Sequence, residues 1–282
     1  MTAPLLPLEE ALRRGRDAGR KLLVPYATGG LGPDWGDVLE RMAAAGADAV
    51  EVGIPFSDPV MDGPTIQEAS RRALAQGATP ARILDELGRR DVGVPVVVMT
   101  YYNVIFRAGP RRWASSLADA GVAGVIVPDL PLEELDEWAE AADGAGVATV
   151  LLASPLSPDA RLVAVCERAR GFVYGVSRLG VTGERDTLAS SAAVIAKRLK
   201  AVTDKPVLIG FGVSTVEHAV EACAEADGVV VASALVRRLL AGGGPEAAGE
   251  FVTELRAGLD QAYATPGAGS GKVGERSGGE AL

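Results

Sequence analysis

The chain has 282 residues, is 48% hydrophobic but only 5% aromatic, and carries a formal net charge of −9. That length suits one α/β barrel, and a core so poor in rings must be built from Ala, Val, Leu and Ile, the residues of helices packed on parallel strands. The negative charge argues against nucleic acid or an anionic membrane as a partner, yet it permits a phosphorylated substrate, because backbone N–H groups hold phosphate without a cationic side chain.

The first segment, MTAPLLPLEEALRRG, has neither a basic start nor a long apolar run, so it does not read as a signal peptide. No stretch approaches the length of a membrane span, and a soluble, cytoplasmic protein is expected. LPLEEALRRG predicts an extra helix that closes the bottom of a barrel. Strand-like runs follow at KLLVPYA (21–27), DAVEVGI (48–54), VPVVVMTY (94–101), AGVIVPD (123–129), ATVLLAS (148–154), GFVYGVS (171–177), KPVLIGF (205–211) and DGVVVAS (227–233). Between them lie segments such as DWGDVLERMAAAG, with apolar residues three and four apart. Eight strands, each followed by a helix, predict an α/β fold, a closed (β/α)8 TIM barrel rather than an open doubly wound sheet. AAAGADAVEVG, LADAGVAGVIVPD and DGAGVATVLLAS echo one another, each a helix ending near Gly before a β-branched strand. The closing TPGAGSGKVGERSGGEAL is Gly/Ser-rich and lacks an apolar face. It predicts a barrel domain over 1–263 and a disordered tail over 264–282.

In such a barrel the working groups sit at the C-terminal ends of the strands. Those positions hold Tyr26 and Thr28, then Glu51 with Asp58 and Asp62 behind it, then Tyr101 and Asn103. Asp129, Tyr174, Ser177, Phe211, Gly212, Ala232 and Ser233 complete the set. The single histidine, His218, lies in a helix-like segment and reads as a solvent-side residue, which excludes Ser–His–Asp and Cys–His sites. Cys166 and Cys223 show no metal or disulfide spacing and read as small buried hydrophobes. Ligands for a metal such as zinc do not cluster. Lys21 and Lys205 begin strands rather than end them, so a Schiff-base aldolase lacks its nucleophile. Carboxylates and tyrosines remain as the proton-transfer groups.

The most informative stretch is EVGIPFSDPVMDGPTIQ, from Glu51 to Gln67. Glu51 alternates with Val50 and Val52. Facing the barrel, it gains a raised pKa and suits acid/base work; the competing readings are a buried Glu paired with an Arg and an outward-tilted residue at the strand's end. Asp62 is either a second catalytic carboxylate or ordinary Asp-Gly turn chemistry. Asp58 reads as a residue that fixes its own loop through an Asx-type hydrogen bond. GVTG, GFGVST and ASALV place three segments on one rim that suit phosphate, since glycine admits close backbone approach and helix N-termini favour anions. Tyr26, Tyr101, Tyr174 and Phe211 at strand ends suit the wall of a pocket for a flat aromatic substrate.

EVGIPFSDPVMDGPTIQ, MTYYN, GVIVPDLP, FVYGVSRLGVTG, PVLIGFGVS and DGVVVASALV, in this order, resemble the tryptophan synthase α subunit family across roughly residues 20–240. The resemblance implies a TIM barrel that cleaves indole-3-glycerol phosphate to indole and glyceraldehyde-3-phosphate, with no metal and no organic cofactor in this chain. It implies Glu51 as the acid/base acting at indole C3 and the glycerol hydroxyl, and Asp62 as the group that accepts or stabilises the indole N–H proton. Tyr26, Ile66, Tyr101, Asp129, Tyr174 and Phe211 would line the indole pocket. Thr182 would belong to a mobile loop closing over the substrate, and Gly183, Gly212, Ala232 and Ser233 would bind the phosphate. The partner implied is a tryptophan synthase β subunit in an α2β2 complex, meeting the loops around Asp58 and Tyr102–Ile105. PLP would belong to that partner.

Three departures from the family pattern stand out. The loop after the first strand reads TGGLGPDW, Val104 stands where Pro is usual, and Ala232 replaces the usual Gly of a phosphate segment. Beside the lyase reading stand a stand-alone indole-releasing lyase of specialised metabolism and a non-catalytic homologue that activates a β subunit. A phosphosugar isomerase shares the phosphate rim but has no use for SDPVMDG. Retention of both Glu51 and Asp62 argues against a pure binder, which gains nothing from a carboxylate desolvated inside a barrel.

Overall fold

Runs rich in Val, Ile and Leu on both faces favour strands buried on two sides, the environment of a parallel sheet wrapped in helices. The computed structural model describes residues 5–176, 186–210 and 212–264. Its strands are β1 (Leu22–Thr28), β2 (Val50–Gly53), β3 (Val96–Met99), β4 (Val122–Ile126), β5 (Ala148–Ala153), β6 (Val173–Val176), β7 (Val207–Gly210) and β8 (Gly228–Val231). They pair in parallel in chain order, and β8 returns to β1, closing the barrel. The α/β barrel read from the sequence is thus the fold found. The strands run shorter than the sequence pattern suggests: 94–101 contracts to Val96–Met99 because Tyr101 already caps a helix.

The helices are α1 (Pro7–Asp17), α2 (Trp35–Ala44), α3 (Pro64–Ala75), α4 (Pro80–Gly88), α5 (Tyr102–Ala108), α6 (Pro110–Asp119), α7 (Asp136–Ala145), α8 (Asp159–Arg168), α9 (Asp186–Lys200), α10 (Val216–Cys223), α11 (Ser233–Leu240) and α12 (Gly244–Ala262). One helix per strand is therefore too simple: β2, β3 and β8 are each followed by two. The breaks have local causes. Gly109 takes φ +88° and Pro110 opens α6, while Thr79 caps α4 by accepting the Arg82 N–H ahead of Pro80. Thr79 and Pro80 thereby separate the rim helix α3 from the outer helix α4. The expected tail, 264–282, lies outside the described residues apart from Ala264.

Side-chain alternation splits the core. Leu23, Val50, Val52, Val98, Val207 and Val229 face the surrounding helices. Leu22, Val24, Ala49, Val97, Val150, Phe172 and Leu208 fill the barrel itself. Leu8 and Leu12 of α1 belong to that inner cluster and are fully buried, so α1 plugs the lower end as its sequence suggested. Glycines make the room: a Cβ at Gly124 would lie 2.5 Å from Leu8 Cδ2, and one at Gly171 2.7 Å. The Glu9 carboxylate accepts the Gly171 N–H at 3.3 Å and ties the plug to the strand end. Among the described residues no helix is long and apolar enough to cross a membrane.

Leu8→Ala leaves a cavity at a site that rigid strands prevent from collapsing. A loss of about 3 kcal/mol in unfolding free energy is expected, measured by urea denaturation; a change under about 1 kcal/mol would show that α1 does not seal the barrel.

Candidate active site

Strand alternation sets the first functional side chain. Val50 and Val52 face the helices while Ala49 faces the interior, so Glu51 points into the barrel. Its register partners are Tyr26 of β1 and Val97 of β3, and it is only 5% exposed. Oε2 is buried with no hydrogen-bond partner among the described residues. Among the described residues, the Glu–Arg pair that the sequence left open is not formed. Burial pushes the Glu51 carboxyl up to about 8, and repulsion from the Asp62 charge adds to the shift.

Asp62 reaches the same cavity from the loop between β2 and α3. Tyr101 holds it in place: the Tyr101 hydroxyl accepts the Met61 N–H at 3.0 Å and is hydrogen-bonded to the Asp62 carboxylate. Phe56 stacks on the Tyr101 ring at 5.0 Å, and Gln67 Nε2 donates to the Asp62 carbonyl at 2.9 Å. Desolvation raises Asp62 to about 6, with the Tyr101 hydrogen bond opposing the rise. Near neutral pH the two carboxyls therefore differ, Glu51 holding its proton and Asp62 ionised. Asp58 is exposed and accepts the Ser57 hydroxyl at 2.6 Å, so a side-chain hydroxyl rather than the expected Asx-type backbone contact anchors it.

The cavity between these groups measures about 300 Å³. Tyr26, Glu51, Asp62, Ile66, Tyr174, Gly212, Ala232 and Ser233, all singled out in the sequence, line it together. Two glycines admit the tyrosines: a Cβ at Gly53 would meet Tyr26 Oη at 1.9 Å, and one at Gly210 would meet Tyr174 Oη at 2.1 Å. Burial drives both tyrosine pKa values well up, so they stay neutral. Gly212 adopts φ +100°, a backbone region L-residues rarely enter, and turns the chain from β7 towards the cavity. Ala232 has φ −116°, a value alanine takes without strain, and its methyl packs at the rim with Tyr26, Ile66 and Val236. No positive φ demands a glycine at this position.

Other expected residues fall elsewhere. Tyr101 stands behind Asp62 and does not line the cavity. Asp129 lies in a neighbouring groove, where Oδ1 accepts the Tyr102 N–H at 2.8 Å and helps start α5. Thr182, Gly183 and Phe211, like Ser177, lie outside the described residues. His218, read as a solvent-side residue, is half-buried, with Nδ1 3.1 Å from the Ser214 hydroxyl. Met61, Met99, Val213, Ser214, Val230 and Arg237 line the cavity without having been marked in the sequence. Met99 and Val230 were accessible through strand alternation with Val97 and Gly228; Arg237 shares a helix face with Ser233, four residues earlier. Among the described residues, no three His, Cys, Asp or Glu side chains gather as a metal site.

A buried carboxyl and a half-buried one, unlike in protonation and set beside an apolar cavity, can deliver a proton at one point and stabilise positive charge at another. The family model described as tryptophan synthase alpha chain matches residues 12–262. The chain is 43% identical to the tryptophan synthase alpha chain of Streptomyces coelicolor over 237 residues, 83% of this chain and 88% of the relative. It is 47% identical to that of Gluconacetobacter diazotrophicus over 226 residues, 78% and 82% of the two chains. Among solved structures it is similar to a chain of Mycobacterium tuberculosis tryptophan synthase, with a TM-score of 0.84 and 36% identity, covering 91% of this chain and 99% of that one.

The raised pKa of Glu51 has a consequence for stability. The folded state holds the Glu51 proton more tightly than the unfolded chain, so this group's contribution is present at low pH and is lost as pH rises from the ordinary glutamate range through about 8. Glu51→Gln, which cannot ionise, should therefore gain on the parent protein as pH climbs from 5 to 9, by roughly 1–3 kcal/mol. Paired thermal melts across that range test it, and parallel pH curves would refute the burial argument.

Proposed function

Because the chain belongs to the tryptophan synthase alpha chain family, we propose that its barrel cleaves indole-3-glycerol phosphate to indole and glyceraldehyde-3-phosphate in tryptophan biosynthesis, as a carbon–carbon lyase. The observation that carries this reading is the pair Glu51 and Asp62, at about 8 and about 6, on one apolar cavity. Neutral Glu51 donates its proton to indole C3. The ring then carries positive charge shared with its N–H, which ionised Asp62 stabilises. Glu51, now a carboxylate, takes the proton of the glycerol hydroxyl next to the ring as the aldehyde C=O forms. The bond between that carbon and indole C3 breaks, its electron pair returns to the ring, and neutral indole leaves with Glu51 again protonated. Protons and electrons balance with no cofactor of this chain's own.

The walls suit the substrate. Tyr26, Ile66, Met99 and Tyr174 give a flat apolar slot, and Gly212, Ser214 and Ser233 form the rim assigned to phosphate. The first N–H groups of α11 have no partner within the helix and favour an anion. Phe211, Thr182 and Gly183 complete the ligand set that the family resemblance implies. Tyr101 is assigned to orient Asp62. The Asp129 contact with the start of α5 supports a role in shaping the rim rather than in touching the ring.

A β subunit carrying PLP is the proposed partner. Val60, Met61 and Phe106 are exposed apolar residues on the loops flanking Asp58 and on α5, the surface the family resemblance assigns to that contact. Incubation with indole-3-glycerol phosphate, with and without a tryptophan synthase β subunit, should give slow indole release alone and a large gain with the partner. Fast release that no partner improves would identify a free-standing lyase, and stimulation of the partner without cleavage would identify a non-catalytic activator.

Glu51→Gln and Asp62→Asn should each lower kcat/KM about a thousandfold or more while leaving the fold intact by circular dichroism. In the parent protein kcat/KM should rise through about pH 6 as Asp62 ionises and fall through about pH 8 as Glu51 loses its proton. In the residual activity of Asp62→Asn the acid limb should vanish and the alkaline limb move down, since the Asp62 charge is one cause of the high Glu51 value. Full turnover in either variant, or a flat profile from 5 to 9 in the parent, would be incompatible with the assigned roles.

A further inference from the structure

Arg237 takes no part in the proton transfers, yet it is the one cation among the described residues that line the cavity. Its neighbours have other commitments. Arg238 lies 3.9 Å over the Phe251 ring and 4.0 Å from Glu254, and Arg72 bonds Glu68 and the Leu240 carbonyl. The Arg237 side chain is exposed, and its guanidinium makes no hydrogen bond or ion pair with any described residue. A guanidinium without a carboxylate partner is thus left beside the rim whose backbone suits an anion.

Helix geometry directs it there. Ser233 is the first residue of α11 and Arg237 comes one turn later on the same face. Side chains on a helix lean towards its N-terminus, so the Arg237 stem runs back over the turn that opens on the cavity. Gly212 and Ser214 face the same space from the loop after β7. Glu51 and Asp62 enter from the β2 side, so the lining is acidic where protons move and cationic where α11 begins. A ligand with an anion at one end has one electrostatically favoured orientation in such a cavity.

We propose that Arg237 is a substrate-binding residue that grips the phosphate through its guanidinium, adding a side-chain contact to the N–H groups of the first turn of α11. The inference rests on the lyase reading above. A planar guanidinium matches two phosphate oxygens at once. The Ala232 methyl fills part of the space at the rim where bare backbone would otherwise approach the anion, and Arg237 supplies attraction from just outside it.

The test measures binding of glycerol 3-phosphate, and separately of indole, to the full chain by calorimetry, in the parent protein, Arg237→Gln and Arg237→Lys. Arg237→Gln should weaken glycerol 3-phosphate about tenfold while leaving indole unchanged. Arg237→Lys should fall between the two, and the difference should shrink as salt rises, because this cation is open to solvent. With indole-3-glycerol phosphate, KM should rise more than kcat falls in Arg237→Gln. Equal glycerol 3-phosphate affinity in the parent and Arg237→Gln would overturn the role of Arg237 and leave the lyase reading standing. Equal loss of both ligands in the two variants would mark a structural residue and overturn it as well. A parent protein that neither binds glycerol 3-phosphate nor turns over indole-3-glycerol phosphate would remove the lyase reading itself, and this inference with it.

Discussion

A carboxyl group fixed inside a closed sheet, with no cation among the described residues to neutralise it, is the constraint on which the rest of the site depends. Glu51 is held there by strand alternation: moving it to the outer face would require turning every valine of β2 inward as well. Desolvation then keeps its proton on near neutral pH. The cost is tolerated because the surrounding core is large and apolar, with aliphatic side chains inside the barrel and between barrel and helices. In the proposed reaction that cost becomes function, since a neutral acid among apolar walls is poised to give its proton to carbon.

The second carboxyl is placed differently. Asp62 depends on a loop, and loops need external restraint to hold a geometry. Tyr101 provides it by accepting the Met61 N–H and bonding the Asp62 carboxylate, while Phe56 stacks on its ring. Rim helices α3 and α5, additional to one helix per strand, begin just after Asp62 and Tyr101 respectively. The environments push the two carboxyls to different degrees because one is sealed in the barrel and the other keeps a hydrogen-bond donor.

Stability and chemistry occupy opposite ends of the barrel, as the architecture favours. At the lower end Asp48 accepts the Leu23 N–H at 2.8 Å and pairs with Arg20 at 2.7 Å, and Glu9 bonds Gly171. Lys205 donates to the Cys166 and Ala169 carbonyls at 2.6 Å, which commits a strand-start lysine to the bottom of the fold. On the flank, Arg90 joins Asp37, Glu40 and Glu86. The cavity-lining carboxyls and Arg237 have no such ion pairs among the described residues, which leaves them available to a ligand.

Much of this was legible in the residues themselves. Eight apolar runs spaced by amphipathic segments specify strands and helices through periodicity, and the inward side of Glu51 follows from its alternation with Val50 and Val52. The ordered motifs carried the family, because residue types at fixed spacing survive where contacts cannot be seen. What the sequence alone left open were relations between distant segments. Whether Glu51 met an arginine, that Tyr101 stands behind Asp62 rather than lining the cavity, that Asp129 caps a helix, and that Arg237 faces the same space as Gly212 all depend on how loops from different strands converge. Gly53 and Gly210 make the same point: nothing local demands them, and only the rings of Tyr26 and Tyr174, crossing from neighbouring strands, require a missing Cβ. Periodicity is a property of one segment and can be read along the chain, whereas desolvation and steric fit arise between segments and exist only once the barrel has closed.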